Sequence, residues 1–197
     1  NEHIDQLKKR FQNVFNDRVD LTPSFETFKN SVPTCENEKA LNLTLANTRA
    51  RLRMTTLYYL AGIHGFLVAG TGNKEEDFGV GFYTKYGDGG VDVSPIADLM
   101  KSEVRQLAAF VGVPESILVA KPTDGLFGDD RSDEDQLGAS YDELEWAMLE
   151  MENGKVQEDF EGRKAEVFRI YQRLNRINQH KMQPIPVCEI PKEFIIR

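Results

Sequence analysis

Cysteine and histidine are scarce in this chain, whose 197 residues contain two cysteines and three histidines. Cys35 and Cys188 lie far apart and belong to no C-x-x-C pair, so neither a disulfide framework nor a zinc framework is expected. Reduced thiols of this kind predict a cytoplasmic protein. The three histidines are dispersed, and the metalloprotease motif H-E-x-x-H is absent.

Several other signatures are also missing. The sequence has no G-x-x-x-x-G-K-[ST] phosphate loop, no G-x-S-x-G elbow and no dinucleotide fingerprint, which argues against common kinase, hydrolase and dehydrogenase classes. A net charge of −8 argues against binding to nucleic acid through its phosphates. No apolar run reaches the roughly 18 residues of a spanning helix, so no membrane partner is expected.

The hydrophobic pattern predicts an α/β fold with a helical C-terminal portion. Strands are expected at residues 14–19 and in "GFLVAGTG", the second as a buried strand of a parallel sheet. Helices are expected at residues 36–60 and 101–112, after a capping box of Ser140 and Glu143, and near the C-terminus. We expect one domain, residues 1–197.

Acidic residues follow the second predicted strand, where ligands of open α/β sheets bind. Thr71 and the carboxylates Glu75, Glu76 and Asp77 suit Mg²⁺, which prefers oxygen ligands and shares them with phosphates. The alternative is a solvated acidic turn.

Arginine is prominent in the long predicted helix. Arg51 shares a helical stripe with Met54 and Tyr58, so it is expected to face apolar neighbours and to need an anionic partner. That partner is either a carboxylate of the protein or an anionic ligand.

Other candidate cations have simpler alternatives. Lys101 stands near a helix start, where a bound anion would offset an unfavourable dipole, and His180 and Lys181 stand at a helix end that favours cations in any case. Residues 125–138 are predicted to form a mobile acidic loop, with a lid as one role.

Four blocks of sequence resemble ammonia-dependent NAD⁺ synthetases. They are "LANTRARLRM", "VAGTGNKEEDFGVGFYTKYGDGGVDVSPIADLMKSEV", "PTDGLFGDDRSDEDQLGASYDELE" and "HKMQPIPV", all within residues 42–187. The resemblance implies a Rossmann-like parallel sheet of the adenine nucleotide alpha hydrolase (ATP pyrophosphatase) type. It also implies a homodimer that uses ATP and Mg²⁺ to amidate nicotinic acid adenine dinucleotide with ammonia, through an acyl-adenylate.

The resemblance also implies roles for particular residues. The dinucleotide contacts would be Arg51, Lys85, Asp92, His180 and Lys181. The ATP contacts would be Thr71, Lys101 and Thr123, and Glu76 would bind Mg²⁺. No residue is expected to act as a covalent nucleophile, since ammonia attacks the acyl-adenylate directly.

One family feature is absent, the S-G-G-x-D-S loop that cradles pyrophosphate. Together with a first residue that is Asn1 rather than Met, this absence leads us to expect an N-terminally incomplete synthetase that is inactive by itself. The alternatives are a non-catalytic nucleotide-binding relative that lost this loop, or a glutamine-using synthetase, which would need an amidase domain.

Overall fold

The computed structural model describes residues 2–123, 125–127 and 132–195, which are mainly helical. The α-helices are α1 (Glu2–Arg10), α2 (Thr22–Ser31), α3 (Glu38–His64), α4 (Lys101–Phe110), α5 (Glu115–Leu118), α6 (Asp133–Leu137), α7 (Tyr141–Glu152) and α8 (Gly162–Met182). A π-helix spans Lys74–Val80, and short 3₁₀ turns span Gln157–Asp159 and Lys192–Phe194.

Local capping defines the ends of the principal helices. The Asn37 side chain accepts the Ala40 N–H at the start of α3, and Gly65, with a φ of 66°, ends that helix. At the start of α7, Ser140 Oγ accepts the Glu143 N–H, and the Glu143 carboxylate accepts the Ser140 N–H. The predicted capping box is therefore confirmed, and so is the long helix, displaced to residues 38–64.

The main core lies where α7, α8 and the π-helix meet. Its fully buried members include Val80, Leu144, Ala147 and Phe168. The Phe168 ring packs against Phe160, with ring centroids 5.0 Å apart. This packing fixes the π-helix against the two C-terminal helices.

Two short extended segments pair in parallel between α3 and α4. The Gly70 N–H donates to the Val93 carbonyl at 2.7 Å, and the Asp92 N–H donates to the Val68 carbonyl at 2.9 Å. The predicted strand in "GFLVAGTG" is thus present only around residues 68–70, and its buried character is restricted, because Phe66 and Leu67 are exposed.

The strand predicted at residues 14–19 is wrong. That segment has no regular structure, and Phe15 and Val19 are exposed. Alternating apolar residues form a strand only where a neighbouring strand accepts their hydrogen bonds, and no hydrogen bond of that kind is formed there.

The predicted acidic loop at residues 125–138 is also partly wrong. Its last part forms α6. Ser132 caps the start of this helix, where its side chain accepts the Asp135 N–H. Residues 128–131 lie outside the described part of the chain.

Helix α4 confirms the prediction for residues 101–112, although its apolar stripe is only partly covered: Leu107 and Val111 are exposed. Within the described part of the chain, no helix combines the length and the apolar character needed to cross a membrane.

Candidate active site

A cleft of about 680 Å³ lies beside the carboxyl ends of the parallel pair. One wall comes from α3, including Asn47, Ala50 and Met54, and the opposite wall from residues 81–84 and the end of α8. Of the nine residues proposed from sequence, Thr71, Glu76, Thr123 and Lys181 line it. A pocket of this volume is large enough for a nucleotide-sized ligand.

The π-helix places three consecutive acids in three different environments. Glu75 is fully buried, and one of its carboxylate oxygens accepts the Lys101 N–H at 2.8 Å. Glu76 faces the cleft. Asp77 lies against Gly72, so closely that a Cβ added to Gly72 would be 1.9 Å from Asp77 Oδ2. A side chain at position 72 would therefore displace the Asp77 carboxyl from its place.

The Glu76 carboxylate is held by donors on both oxygens. Oε1 accepts the Tyr141 hydroxyl at 2.9 Å, and Oε2 accepts the Asn73 side-chain amide at 2.8 Å. Lys101 Nζ lies 3.7 Å from Oε2 and 4.5 Å from the centre of the Tyr141 ring. These contacts fix a charged oxygen pair beside the cleft.

Negative charge accumulates around Asp77. The pKa of Asp77 is raised to about 7, mainly by burial and also by the neighbouring carboxylates Glu76 and Asp88, whereas Lys101 opposes the shift. Burial is also the main cause that raises the pKa of Tyr83 to about 12, and Asp77 and Asp88 contribute to that shift. A cation placed among these carboxylates would relieve their repulsion.

The Asp77 pKa leads to a pH prediction for the metal-free protein. Since the folded state holds this proton up to about pH 7 while an unfolded aspartate releases it near pH 4, wild-type stability falls as pH rises between those values. We expect Asp77→Asn to lack this loss and to gain about 1–3 kcal/mol over wild type at pH 8 relative to pH 4.

Urea unfolding at both pH values, with EDTA present, measures this difference. Asp98→Asn, at a fully exposed aspartate, is the matched control and should follow wild type. Parallel pH profiles for Asp77→Asn and wild type would contradict the prediction.

Four of the proposed dinucleotide contacts meet at one corner of the molecule, the basic corner, formed by Arg51, Lys85, His180 and Lys181. Arg51 Nε donates to the Lys85 carbonyl at 3.2 Å, and Lys85 Nζ donates to the His180 carbonyl. Lys181 Nζ donates to the carbonyls of Gly81 and Tyr83, at 2.8 and 2.7 Å. Burial lowers the pKa of Lys181.

The fifth proposed contact, Asp92, already has two partners in the protein. One carboxylate oxygen accepts the Val68 N–H at 2.8 Å, and the other accepts the Tyr58 hydroxyl at 3.0 Å. Asp92 therefore ties α3 to the parallel pair.

The expectation that Arg51 faces apolar neighbours is wrong. Arg51 is exposed, whereas Arg49 packs over the Phe25 ring at 4.1 Å and donates to the Leu126 carbonyl at 2.8 Å. The helical stripe is spaced as expected, but α2 covers a different face of α3 from the one that the stripe indicated.

The proposed ATP contacts are spread around the cleft. Thr71 is exposed at the end of the first extended segment, and Thr123 Oγ1 accepts the Gly125 N–H at 3.4 Å. Lys101 is placed at the first position of α4, beside Glu76.

Sequence reasoning missed Asn73 and Tyr141, the two hydrogen-bond donors to Glu76. Asn73 had a detectable signal, because its side chain also caps the π-helix by accepting the Glu76 N–H. Tyr141 had none, since its contact with Glu76 spans 65 positions in sequence.

A cleft at the carboxyl ends of a parallel pair, with a carboxylate on one side and cations nearby, is typical of nucleotide-binding α/β enzymes. The family model described as NAD synthase matches residues 2–185. The chain belongs to this family.

Curated relatives agree with that assignment. An NH₃-dependent NAD⁺ synthetase of Methanococcoides burtonii is 41% identical over 71% of this chain and 52% of its own length. One of Carboxydothermus hydrogenoformans is 38% identical over 88% of this chain and 65% of its own length. The chain thus spans between about half and two thirds of the length of these relatives.

Solved structures show the same fold. NMN synthetase from Francisella tularensis superposes with a TM-score of 0.73 at 27% identity, covering 97% of this chain and 72% of that one. NAD⁺ synthetase from Burkholderia pseudomallei gives a TM-score of 0.56 at 30% identity, covering 82% of this chain and 59% of that one.

Proposed function

We propose that the protein is an amide-forming ligase that converts nicotinic acid adenine dinucleotide and ammonia into NAD⁺. ATP would adenylate the nicotinate carboxylate with release of pyrophosphate, and ammonia would then displace AMP. The observation that carries the proposal is the family match over residues 2–185, in a chain whose cleft is lined by both Glu76 and Lys181 of the basic corner. Family membership also favours catalysis over a non-catalytic nucleotide-binding role.

The basic corner suits the anionic substrate. Arg51 uses Nε on a backbone carbonyl, and a guanidinium has further donors in a fork that matches phosphate or carboxylate. Lys85 and Lys181 stand close by, each held by backbone carbonyls. We assign Arg51, Lys85, Asp92, His180 and Lys181 to the dinucleotide, and Asp92 also joins the parallel pair to α3.

Magnesium is the second part of the proposal, with Glu76 as its protein ligand. The residues present fit this ion. Glu76 lines the cleft, and the nearby carboxylates of Asp77 and Asp88 make a bound cation electrostatically favourable there. Among the described residues, no group of three or more metal-binding side chains is arranged around a common point. Mg²⁺ commonly relies on one or two carboxylates together with substrate phosphates.

The ATP side of the site would be formed by Thr71, Thr123 and Lys101. Thr71 and Thr123 offer hydroxyls at the cleft surface, and Lys101 carries its charge beside Glu76. Magnesium withdraws charge from the leaving pyrophosphate when it is bound. Lys101 would add positive charge in the same place.

The amide-forming step needs no protein nucleophile. Ammonia is itself the attacking group, so the protein has only to hold the acyl-adenylate and to stabilise the departing AMP. Cys35 and Cys188 are both exposed free thiols and take no part in the cleft.

Three further features belong to this proposal. The parallel pair would be part of a Rossmann-like sheet of the adenine nucleotide alpha hydrolase type. The protein would act as a homodimer in the cytoplasm. Exposed apolar side chains along α3, including Leu57, Tyr59 and Ile63, support a subunit interface, and sedimentation at micromolar concentration tests it.

A direct assay tests the proposed function. The protein expressed from its complete coding sequence is incubated with ATP, Mg²⁺, ammonium chloride and nicotinic acid adenine dinucleotide, and NAD⁺ is measured with a coupled dehydrogenase. Formation of NAD⁺ with AMP and pyrophosphate in equal amounts supports the proposal. Tight substrate binding without turnover would support the non-catalytic role instead.

A mononucleotide-amidating activity is the second candidate. The structural similarity to an NMN synthetase over 97% of this chain supports this second candidate. The same assay with nicotinic acid mononucleotide separates the two, because the preferred substrate has the higher kcat/KM.

A further inference from the structure

Tyr141 is a buried tyrosine with an unusual set of neighbours. Its side chain is 1% exposed, yet it is not one of the residues of the main core. Three charged side chains contact it instead: Glu76, Asp133 and Lys101. A tyrosine buried only for packing does not need such partners.

The hydroxyl of Tyr141 has one proton and two acceptors. It lies 2.9 Å from Glu76 Oε1 and 3.3 Å from Asp133 Oδ2. When both carboxylates are ionised, the hydroxyl can donate to only one of them. The shorter distance identifies Glu76 as the acceptor.

We propose that Tyr141 is a positioning residue, whose hydroxyl fixes the direction in which the Glu76 carboxylate faces the cleft. The importance of this direction rests on the proposed function, in which Glu76 holds Mg²⁺. Hydrogen bonds from a second layer of residues commonly orient metal ligands, and their loss weakens metal binding.

The position of Tyr141 is itself fixed by α7. Tyr141 is the first residue of that helix, directly after the capping box of Ser140 and Glu143. Its N–H donates to Glu134 Oε1 at 3.0 Å. The guanidinium of Arg163 clamps Glu143 from α8, with contacts of 2.7 and 2.8 Å. Tyr141 is therefore a rigid support for Glu76.

Two donors divide the Glu76 carboxylate between them. Tyr141 serves Oε1 and Asn73 serves Oε2, so rotation of the carboxylate would break both hydrogen bonds. A tyrosine hydroxyl is ordinarily protonated at physiological pH, so it is available as a hydrogen-bond donor.

The test removes only the hydroxyl. In Tyr141→Phe we expect the affinity for Mn²⁺, bound together with a non-hydrolysable ATP analogue and followed by EPR, to fall about tenfold or more. The Mg²⁺ concentration for half-maximal NAD⁺ formation should rise by a similar factor, with KM for the dinucleotide unchanged. Tyr171→Phe, at a buried core tyrosine of α8, is the matched control and should behave as wild type.

A double-mutant cycle separates positioning from a general structural effect. In a Glu76→Gln background, Tyr141→Phe should cause no further loss of Mn²⁺ affinity, since the carboxylate that it orients is gone. Thermal unfolding in EDTA checks that each variant is folded. Equal Mn²⁺ affinity in wild type and Tyr141→Phe, or a loss that persists in the Glu76→Gln background, would overturn the proposal.

The experiment also distinguishes the two proposals from each other. If the wild-type protein formed no NAD⁺, the proposed function would fail, while the EPR comparison would still decide the role of Tyr141. If NAD⁺ were formed but Mn²⁺ affinity did not depend on the hydroxyl, only the positioning role would fail.

Discussion

Replacing Glu76 with glutamine is expected to lower kcat for NAD⁺ formation by about 10²–10³-fold, the effect of losing several kcal/mol of charge stabilisation. Glutamine keeps the size of the side chain and can still bond to Asn73 and Tyr141, so the change is mainly one of charge. The required Mg²⁺ concentration should rise as well. Steady-state rates over a Mg²⁺ titration measure both effects.

The matched control for this prediction is Glu115→Gln. Glu115 is an exposed acid at the start of α5, away from the cleft lining, and its replacement should leave the rate within a factor of about two. A Glu76→Gln enzyme with the wild-type rate and Mg²⁺ requirement would show that the metal is held elsewhere.

Changes at the basic corner should separate the two nucleotide substrates. We expect Arg51→Ala and Lys85→Ala each to raise KM for the dinucleotide. The increase should correspond to a loss of about 1.5–3 kcal/mol of binding free energy, the cost of a lost charge-assisted hydrogen bond. The apparent constant for ATP should not change, because neither side chain is grouped with the proposed ATP contacts Thr71, Thr123 and Lys101. Steady-state kinetics with each substrate varied in turn provide the measurement.

Two controls make this test specific. Arg173→Ala removes an exposed arginine from α8 and should change neither constant. Lys85 also donates to the His180 carbonyl, so Lys85→Arg, which keeps the charge, should recover part of the loss. If only the apparent constant for ATP changed, the assignment of Arg51 and Lys85 to the dinucleotide pocket would be wrong.

The sequence was most informative where structure is determined locally. The Ser140–Glu143 capping box predicted the start of α7, and periodic apolar residues predicted α3, α4 and α8, because helix contacts join residues three or four apart. The strand predicted at residues 14–19 was wrong for the opposite reason. Strand formation depends on a partner that is distant in sequence, as the pairing of Gly70 with Val93 illustrates.

The candidate site could be predicted only in part. The resemblance supplied charged residues, and the structure brings Arg51, Lys85, His180 and Lys181 together. It could not supply Tyr141, whose contact with Glu76 depends on how α7 packs on the π-helix. It also gave Asp92 as a ligand contact, which stays a prediction, and it gave no sign that this carboxylate joins α3 to the parallel pair.

The π-helix at Lys74–Val80 makes the site sensitive to chain length as well as to residue type. A π-helix closes its hydrogen bonds over five residues, one more than an α-helix. Removing one residue from Lys74–Val80 would convert it to an α-helical turn, in which the side chains point in different directions around the helix axis. Deleting one residue after Glu76 would therefore leave every proposed ligand in the sequence while turning Glu76 relative to Tyr141. The length of the segment Lys74–Val80 is therefore itself part of what specifies the site.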